Sequence, residues 1–134
     1  MKGVERISHQ GIDYAIVLRA NANSEDRYNF LTDPQGPLQL GMNFYSRGEM
    51  IANHYHHERD MPRVQVQEFI LVSAGRLLLK LFDDEQRQFT SVTMESGDAV
   101  LLLRGGHGFD ILDDTKIVEI KQGPYVEAGD KVVF

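Results

Sequence analysis

The chain of 134 residues has no cysteine. Disulfides, thiolate metal ligands and cysteine nucleophiles are therefore excluded. It also lacks an excess of positive charge. The net charge is −6 and no basic block interrupts it, which argues against nucleic acid or an anionic membrane as partner. No apolar run approaches membrane-spanning length. The amino-terminal Met1-Lys2-Gly3-Val4-Glu5-Arg6 is not the apolar stretch of a signal peptide, so the expected location is the cytoplasm. Repeats, low-complexity stretches and linkers are missing. No serine or threonine sits in a nucleophile elbow and there is no phosphate loop, so nucleophilic acyl transfer and nucleotide hydrolysis have no visible support.

What is present is ordinary for a globular chain. Hydrophobic residues make up 42% and charged residues 25%, enough for one domain over residues 1–134 with a single core. The hydrophobic pattern is β-rich. Asp13 to Arg19 is a short apolar strand, and Asn23 to Pro37 reads as a loop with room for one helical turn. Gln39 to Ser46 alternates, with Leu40, Met42 and Phe44 on one face. Arg47-Gly48 is a turn, and Glu49 to His56 returns as a strand. Further strands are predicted over Val64 to Ser73, Arg76 to Phe82, Gln86 to Met94, Ala99 to Leu103 and Ile117 to Lys121, with turns at Ala74-Gly75, Asp83-Asp84, Ser96-Gly97-Asp98 and Asp113-Asp114. Short strands at this spacing predict an all-β sandwich or barrel.

The residues that carry chemistry are histidines and one carboxylate. Residues two apart on a strand share a face, so His54 and His56 project together. In the segment Val64 to Ser73, Glu68 is the only polar side chain on a face otherwise made of Val64, Val66, Ile70 and Val72. An ionised carboxylate buried without a partner is expensive, and a metal or a buried cation resolves that cost. The glycine-rich turn Arg104-Gly105-Gly106-His107 offers a third imidazole, and His107, Phe109 and Ile111 share a face. His54, His56, Glu68 and His107 thus form a candidate set for a divalent ion such as Fe, Mn, Ni, Co or Zn. Three neutral histidines and one carboxylate leave a net charge of about +1 on the ion. Four ligands close a tetrahedral site but leave two open positions on an octahedral ion, where water, O₂ or a bidentate ligand binds.

Blander readings stand beside this one. A His-x-His pair on a strand is often a solvated pair at a rim. His57 points to the face opposite His54 and His56, and His9 reads as a surface residue. Glu58 continues the face of His54 and His56 and competes with Glu68 for the carboxylate role, although it opens the charged stretch Glu58-Arg59-Asp60. Arg104, Lys121, Gln122 and Tyr125 stand near strand ends, where satisfied or solvated side chains are common. Tyr55 covers the site from the other face or simply packs.

Gly48, His54, His56, Glu68 and Gly75 resemble the first motif of the cupin superfamily, a glycine, two alternate histidines, a glutamate and a closing glycine. Eleven residues separate His56 from Glu68, where the motif has three or four, as an inserted hairpin or loop would require. The second motif is matched by Gly97 and Gly105. Leu103 replaces its proline, His107 arrives one residue early and Ile111 stands in place of its asparagine. Residues 119–125, with Asp130 and Lys131 beyond, are similar to a group of small single-domain cupins. The resemblance implies a double-stranded β-helix, a jelly-roll barrel of two antiparallel sheets with metal inside one open end. It carries motif 1 on residues 48–75 and motif 2 on residues 97–111. It also implies a small oxygenated ligand, such as a carbohydrate or a hydroxy or keto acid, and a homodimer. Cupins include dioxygenases, isomerases, epimerases, lyases and sugar-binding modules, so the fold does not decide among a Lewis-acid metal site, an iron-dependent dioxygenase and a non-catalytic sugar sensor. A metal-free isomerase working by histidine acid/base chemistry is a further alternative. It needs a histidine facing a tyrosine or aspartate across the pocket.

Overall fold

The computed structural model describes residues 1–54, 56–57, 60, 65–123 and 131–134. Ten strands are present: β1 Lys2–His9, β2 Ile12–Asn23, β3 Tyr28–Phe30, β4 Gly41–Asn43, β5 Glu68–Ala74, β6 Arg76–Phe82, β7 Gln88–Glu95, β8 Ala99–Leu102, β9 Gly106–Ile111 and β10 Lys116–Lys121. No helix occurs among the described residues, and none is therefore long and apolar enough to cross a membrane.

The strands form a five-stranded sheet in the order β1-β2-β8-β5-β10, a three-stranded sheet β7-β6-β9 and a small ribbon β3-β4. Every pairing is antiparallel. The two larger sheets share one core. Ala15, Val17, Ile70, Val72, Val100 and Leu102 come from the five-stranded sheet, and Leu77, Leu79, Leu81 and Met94 from the other. Strand β6 shows the period of two that a half-buried strand requires, with Leu77, Leu79 and Leu81 inward. Strand β8 is buried at all four positions, because the five-stranded sheet is covered on both faces at its centre.

No sheet closes into a barrel among the described residues. The two sheets meet through side-chain packing, and their edges do not hydrogen-bond around the core as the predicted barrel requires.

Several strands differ from the sequence expectation. Strand β1 pairs along the whole early part of β2, although its weak alternation concealed it. Strand β3 lies inside the predicted loop Asn23 to Pro37 and pairs with β4, the three-residue remnant of the predicted Gln39 to Ser46 strand. The predicted strand Glu49 to His56 is not formed: residues 49–54 and 56 have no ladder. Met50 and Ile51 there are 93% and 59% exposed, so neither face has apolar cover to hold a strand in place. The predicted Val64 to Ser73 begins only at Glu68. Val66 is exposed, and Val64 lies outside the described residues.

Two turns depend on glycine. Gly75, between β5 and β6, has φ +85°, and a Cβ there would overlap the Asp114 carbonyl and Thr115. Gly105 has φ +75°, and a Cβ there would overlap the Phe82 carbonyl and the Tyr14 ring. The second turn is the entry to β9 and sets where His107 falls.

Candidate functional site

Strand β5 opens with Glu68. Ile70 and Val72 on the same face are fully buried, so the alternation turns Glu68 toward the space between the sheets. Strand β9 belongs to the opposite sheet. Its His107 lies opposite Leu81 and its Phe109 opposite Leu79, and Phe109 packs on the core. The two inward-facing side chains meet: His107 Nε2 is 3.1 Å from Glu68 Oε2. The turn after Arg104 thus sets His107 beside Glu68. Ile111, paired with Leu77, continues the face by register but is 61% exposed on the edge strand β9.

Strand β10 adds two charges. Lys121 pairs with Glu68 and Glu119 with Ile70, so both share the face of Glu68, and Lys121 Nζ is 3.5 Å from Glu119 Oε1. Side-chain exposure rises from 15% at Glu68 through 31% at His107 to 34% and 39% at Lys121 and Glu119. The cluster therefore opens to solvent at the strand ends, while Glu68 sits at its closed side. The hydrogen bond with His107 is the largest influence on Glu68 and holds its carboxyl below the usual glutamate range. Burial opposes this, while a side-chain hydrogen bond with Glu119 and the charges of His107 and Lys121 reinforce it. Lys121, paired in register with Glu68, brings a positive charge to this carboxylate, and His107 brings a hydrogen bond. Glu119 was not singled out from sequence. The signal was there in the alternation Ile117, Glu119, Lys121, which puts charge on a face that begins apolar.

His54 and His56 form a second pair. Their rings stand nearly perpendicular with centroids 5.2 Å apart, although no strand holds them. His54 Nδ1 lies 2.8 Å from the Ala52 carbonyl. A carbonyl only accepts, so Nδ1 is the donor, and Nε2 is the nitrogen a ligating histidine oriented this way would offer. Both rings are exposed. Among the described residues, no three histidine, aspartate or glutamate side chains gather closely enough to hold an ion. The four predicted ligands thus stand as two pairs, Glu68–His107 and His54–His56. Glu58, Tyr55 and Tyr125 lie outside the described residues.

The remaining predicted residues fall elsewhere. His9 is not a plain surface residue: it stacks on Phe89 at 4.6 Å, meets the Tyr14 ring edge-on and places Nε2 3.9 Å from Asp83 Oδ2. His57 is exposed. Arg104 lies over the Tyr14 ring and pairs with Asp84. Gln122 Oε1 accepts the backbone N–H of Gln67 at 2.8 Å. Compared with known proteins, the chain matches no family model, no curated protein and no solved structure.

Proposed function

We propose that this protein is a small metal-binding protein of cupin type, jelly-roll in topology, that binds or transforms a small oxygenated ligand such as a carbohydrate or a hydroxy or keto acid. The observation that carries the reading is the Glu68–His107 contact at 3.1 Å. Two residues 39 positions apart in sequence, on strands of different sheets, converge at the open end of a shared core. They are two of the four residues that the motif resemblance selects. His54 and His56, paired with each other and standing apart from Glu68 and His107 in this structure, are the other two residues of the proposed donor set.

A divalent ion, when bound, supplies Lewis acidity toward a ligand oxygen. The residues around it do the positioning. Glu68 is the one carboxylate of the proposed donor set, and Lys121 and Glu119 flank it on β10. His107 Nε2, which faces the Glu68 carboxylate, is the nitrogen that would be offered to an ion there. The homodimer belongs to the same reading, supported by the edge position of β10 and the exposure of Val118 and Ile120.

The test is elemental analysis of protein purified without added metal, followed by metal titration. The double variant His54→Ala/His56→Ala is expected to lose stoichiometric metal and keep its fold. Glu68→Gln is expected to weaken binding by more than the roughly 10–100-fold typical of an outer-sphere change. Full occupancy in the double variant would sink the assignment. A larger effect at Glu58→Gln than at Glu68→Gln would move the carboxylate role to Glu58.

A second reading draws on the same contact. His107 hydrogen-bonded to Glu68 is a histidine oriented by a carboxylate, the arrangement of a general acid/base pair. On this reading His107 moves a proton on the ligand and Glu68 fixes its tautomer, with no metal required. Undiminished turnover after exhaustive chelation, abolished by His107→Ala, would favour it. Ligand binding without any turnover would identify a sensing module.

A further inference from the structure

Strand β10 is an edge. Its one neighbour among the described residues is β5, and all six of its residues are exposed. Val118 and Ile120 pair with Leu71 and Phe69, so they lie on the sheet face turned away from the shared core. Ile117, Glu119 and Lys121 take the other face. The remaining edges of the two larger sheets are better guarded. Strand β1 is broken by register shifts at Lys2/Val4 and Ile7/Ser8. Strand β7 exposes Gln88, Ser91, Thr93 and Glu95, and β9 includes Gly106 and Gly108, which weaken a strand. Bulges and polar side chains blunt an edge, whereas exposed branched-apolar residues invite a further strand.

The charges on β10 decide what that further strand is. Residues directly opposite in an antiparallel pair lie on one sheet face, and a slip of one residue turns every side chain over. When β10 meets β10 of a second copy about a two-fold axis, only registers centred on a residue keep like faces together. Centred on Glu119, the register sets Glu119 against Glu119. Centred on Lys121, it sets Lys121 against Lys121. Centred on Ile120, it sets Glu119 of each copy against Lys121 of the other, and Ile120 against Ile120 on the outer face. Like charges directly opposite are destabilising and opposite charges stabilising. The strand is thus complementary to itself in one register, which favours a second copy over an arbitrary extended peptide.

We propose that β10 pairs with β10 of a second copy, antiparallel and centred on Ile120, and joins the two five-stranded sheets into one continuous sheet. This interface gives the homodimer of the reading above its contact surface and rests on that reading. It also completes the charged cluster. Glu119 lies on the face of Glu68, so Lys121 of the second copy arrives beside the Glu68–His107 pair, and the two clusters adjoin across the axis. The ladder from Val118 to Gln122 is short, so the dimer is weak and concentration-dependent.

The chain has no cysteine, so a single introduced thiol reports the register. Opposed Cα atoms in an antiparallel pair are about 4.5–5.5 Å apart, within reach of a disulfide. Under mild oxidation of the intact protein, Ile120→Cys is expected to give a covalent dimer. Val118→Cys, opposite Gln122 and not its own copy, is expected to stay uncrosslinked. By sedimentation equilibrium, Glu119→Lys and Lys121→Glu are each expected to weaken association about tenfold or more. The double variant Glu119→Lys/Lys121→Glu is expected to restore it. Melting temperature checks the fold of each; if a charge variant fails to fold, Ile120→Lys serves and should give a folded monomer. A parent that stays monomeric at high concentration, equal cross-linking at Val118→Cys and Ile120→Cys, or a double variant that does not recover would each overturn the interface. A dimer that never cross-links through Ile120→Cys would overturn it while leaving the homodimer, and none of these outcomes touches the metal titration.

Discussion

Replacing Asp98 tests whether the turn before β8 is held by charge or merely by chain geometry. Asp98 is 5% exposed. Its Oδ1 accepts the backbone N–H of Ala20 at 2.9 Å, and its Oδ2 accepts Arg19 Nη1 at 2.9 Å and the backbone N–H of Glu95 at 3.0 Å. One carboxylate thus ties β2 to the β7–β8 turn. Hydrogen bonds to a charged group contribute about 1.5–3 kcal/mol each, but these three share two oxygens and do not add. Removing one member of a buried ion pair costs about 3–5 kcal/mol. Arg19 keeps Glu5 at 2.8 Å and has a side chain 26% exposed, so water relieves part of its loss and the lower end applies. Asp98→Ala is therefore expected to cost about 3 kcal/mol, a fall in melting temperature of roughly 10 °C for a chain of this size. Asp98→Asn discriminates further. Its amide oxygen can serve Arg19 Nη1 and the Glu95 N–H, but its NH₂ then faces the Ala20 N–H donor and the charge opposite Arg19 is lost, so the isosteric change should still cost roughly 2–3 kcal/mol rather than be mild. The assay is urea unfolding, read as a lower midpoint at unchanged slope. An Asp98→Asn midpoint indistinguishable from the parent would refute the reasoning.

Gly105→Ala is expected to destabilise the protein by at least about 1–2 kcal/mol, because its φ of +75° and the overlap with Phe82 and Tyr14 both oppose a side chain. It should also disturb the His107 imidazole resonances in a nitrogen-15 NMR spectrum, since the turn sets the approach to Glu68; unchanged resonances would uncouple the turn from the site. On acidification, stability should fall. Ser8 foremost, with Arg6, holds the Asp13 carboxyl below the usual aspartate range, and the backbone N–H of Arg87 foremost does so for Asp83. The unfolded chain then binds protons first, so the stabilisation is complete above the unfolded value near pH 4 and is lost as pH drops through the folded values. Melting temperature against pH should slope less steeply below about pH 4 in Asp83→Asn than in the parent.

Much of the central architecture was readable because it depends on local pattern. Strand β6 was predicted with its observed bounds, since Leu77, Leu79 and Leu81 alternate cleanly. Strand β8 announced itself as an unbroken apolar run. Glu68 stood out as the one charge on a branched-apolar face, and its inward position follows from the strand period alone. What failed was whatever depends on a partner. The stretch 49–56 alternates well enough to be read as a strand, but a strand exists only where another chain segment completes its ladder, and Met50 and Ile51 meet none. The converse holds for β1, whose own pattern is weak and whose strand character comes from β2. A cavity of about 350 Å³ on the outer face of the five-stranded sheet was not legible either, because it joins residues 6, 32, 67 and 104, and nothing in local periodicity reports which loop roofs a sheet.

The strand order β1-β2-β8-β5-β10 has a kinetic consequence. Strands β2 and β8 are hydrogen-bonded neighbours, yet Leu18 and its partner Ala99 are separated by most of the chain. The hairpins β1–β2 and β6–β7 close over a few residues, so they are available early. The β2–β8 and β5–β8 seams must wait until long loops have closed, and that entropy is lost before any contact compensates it. Folding of such a topology belongs to the millisecond-to-second range. Until β8 docks, the hydrophobic edges of β2 and β5 face solvent together, and this interval is when the chain is most exposed to association with its own copies.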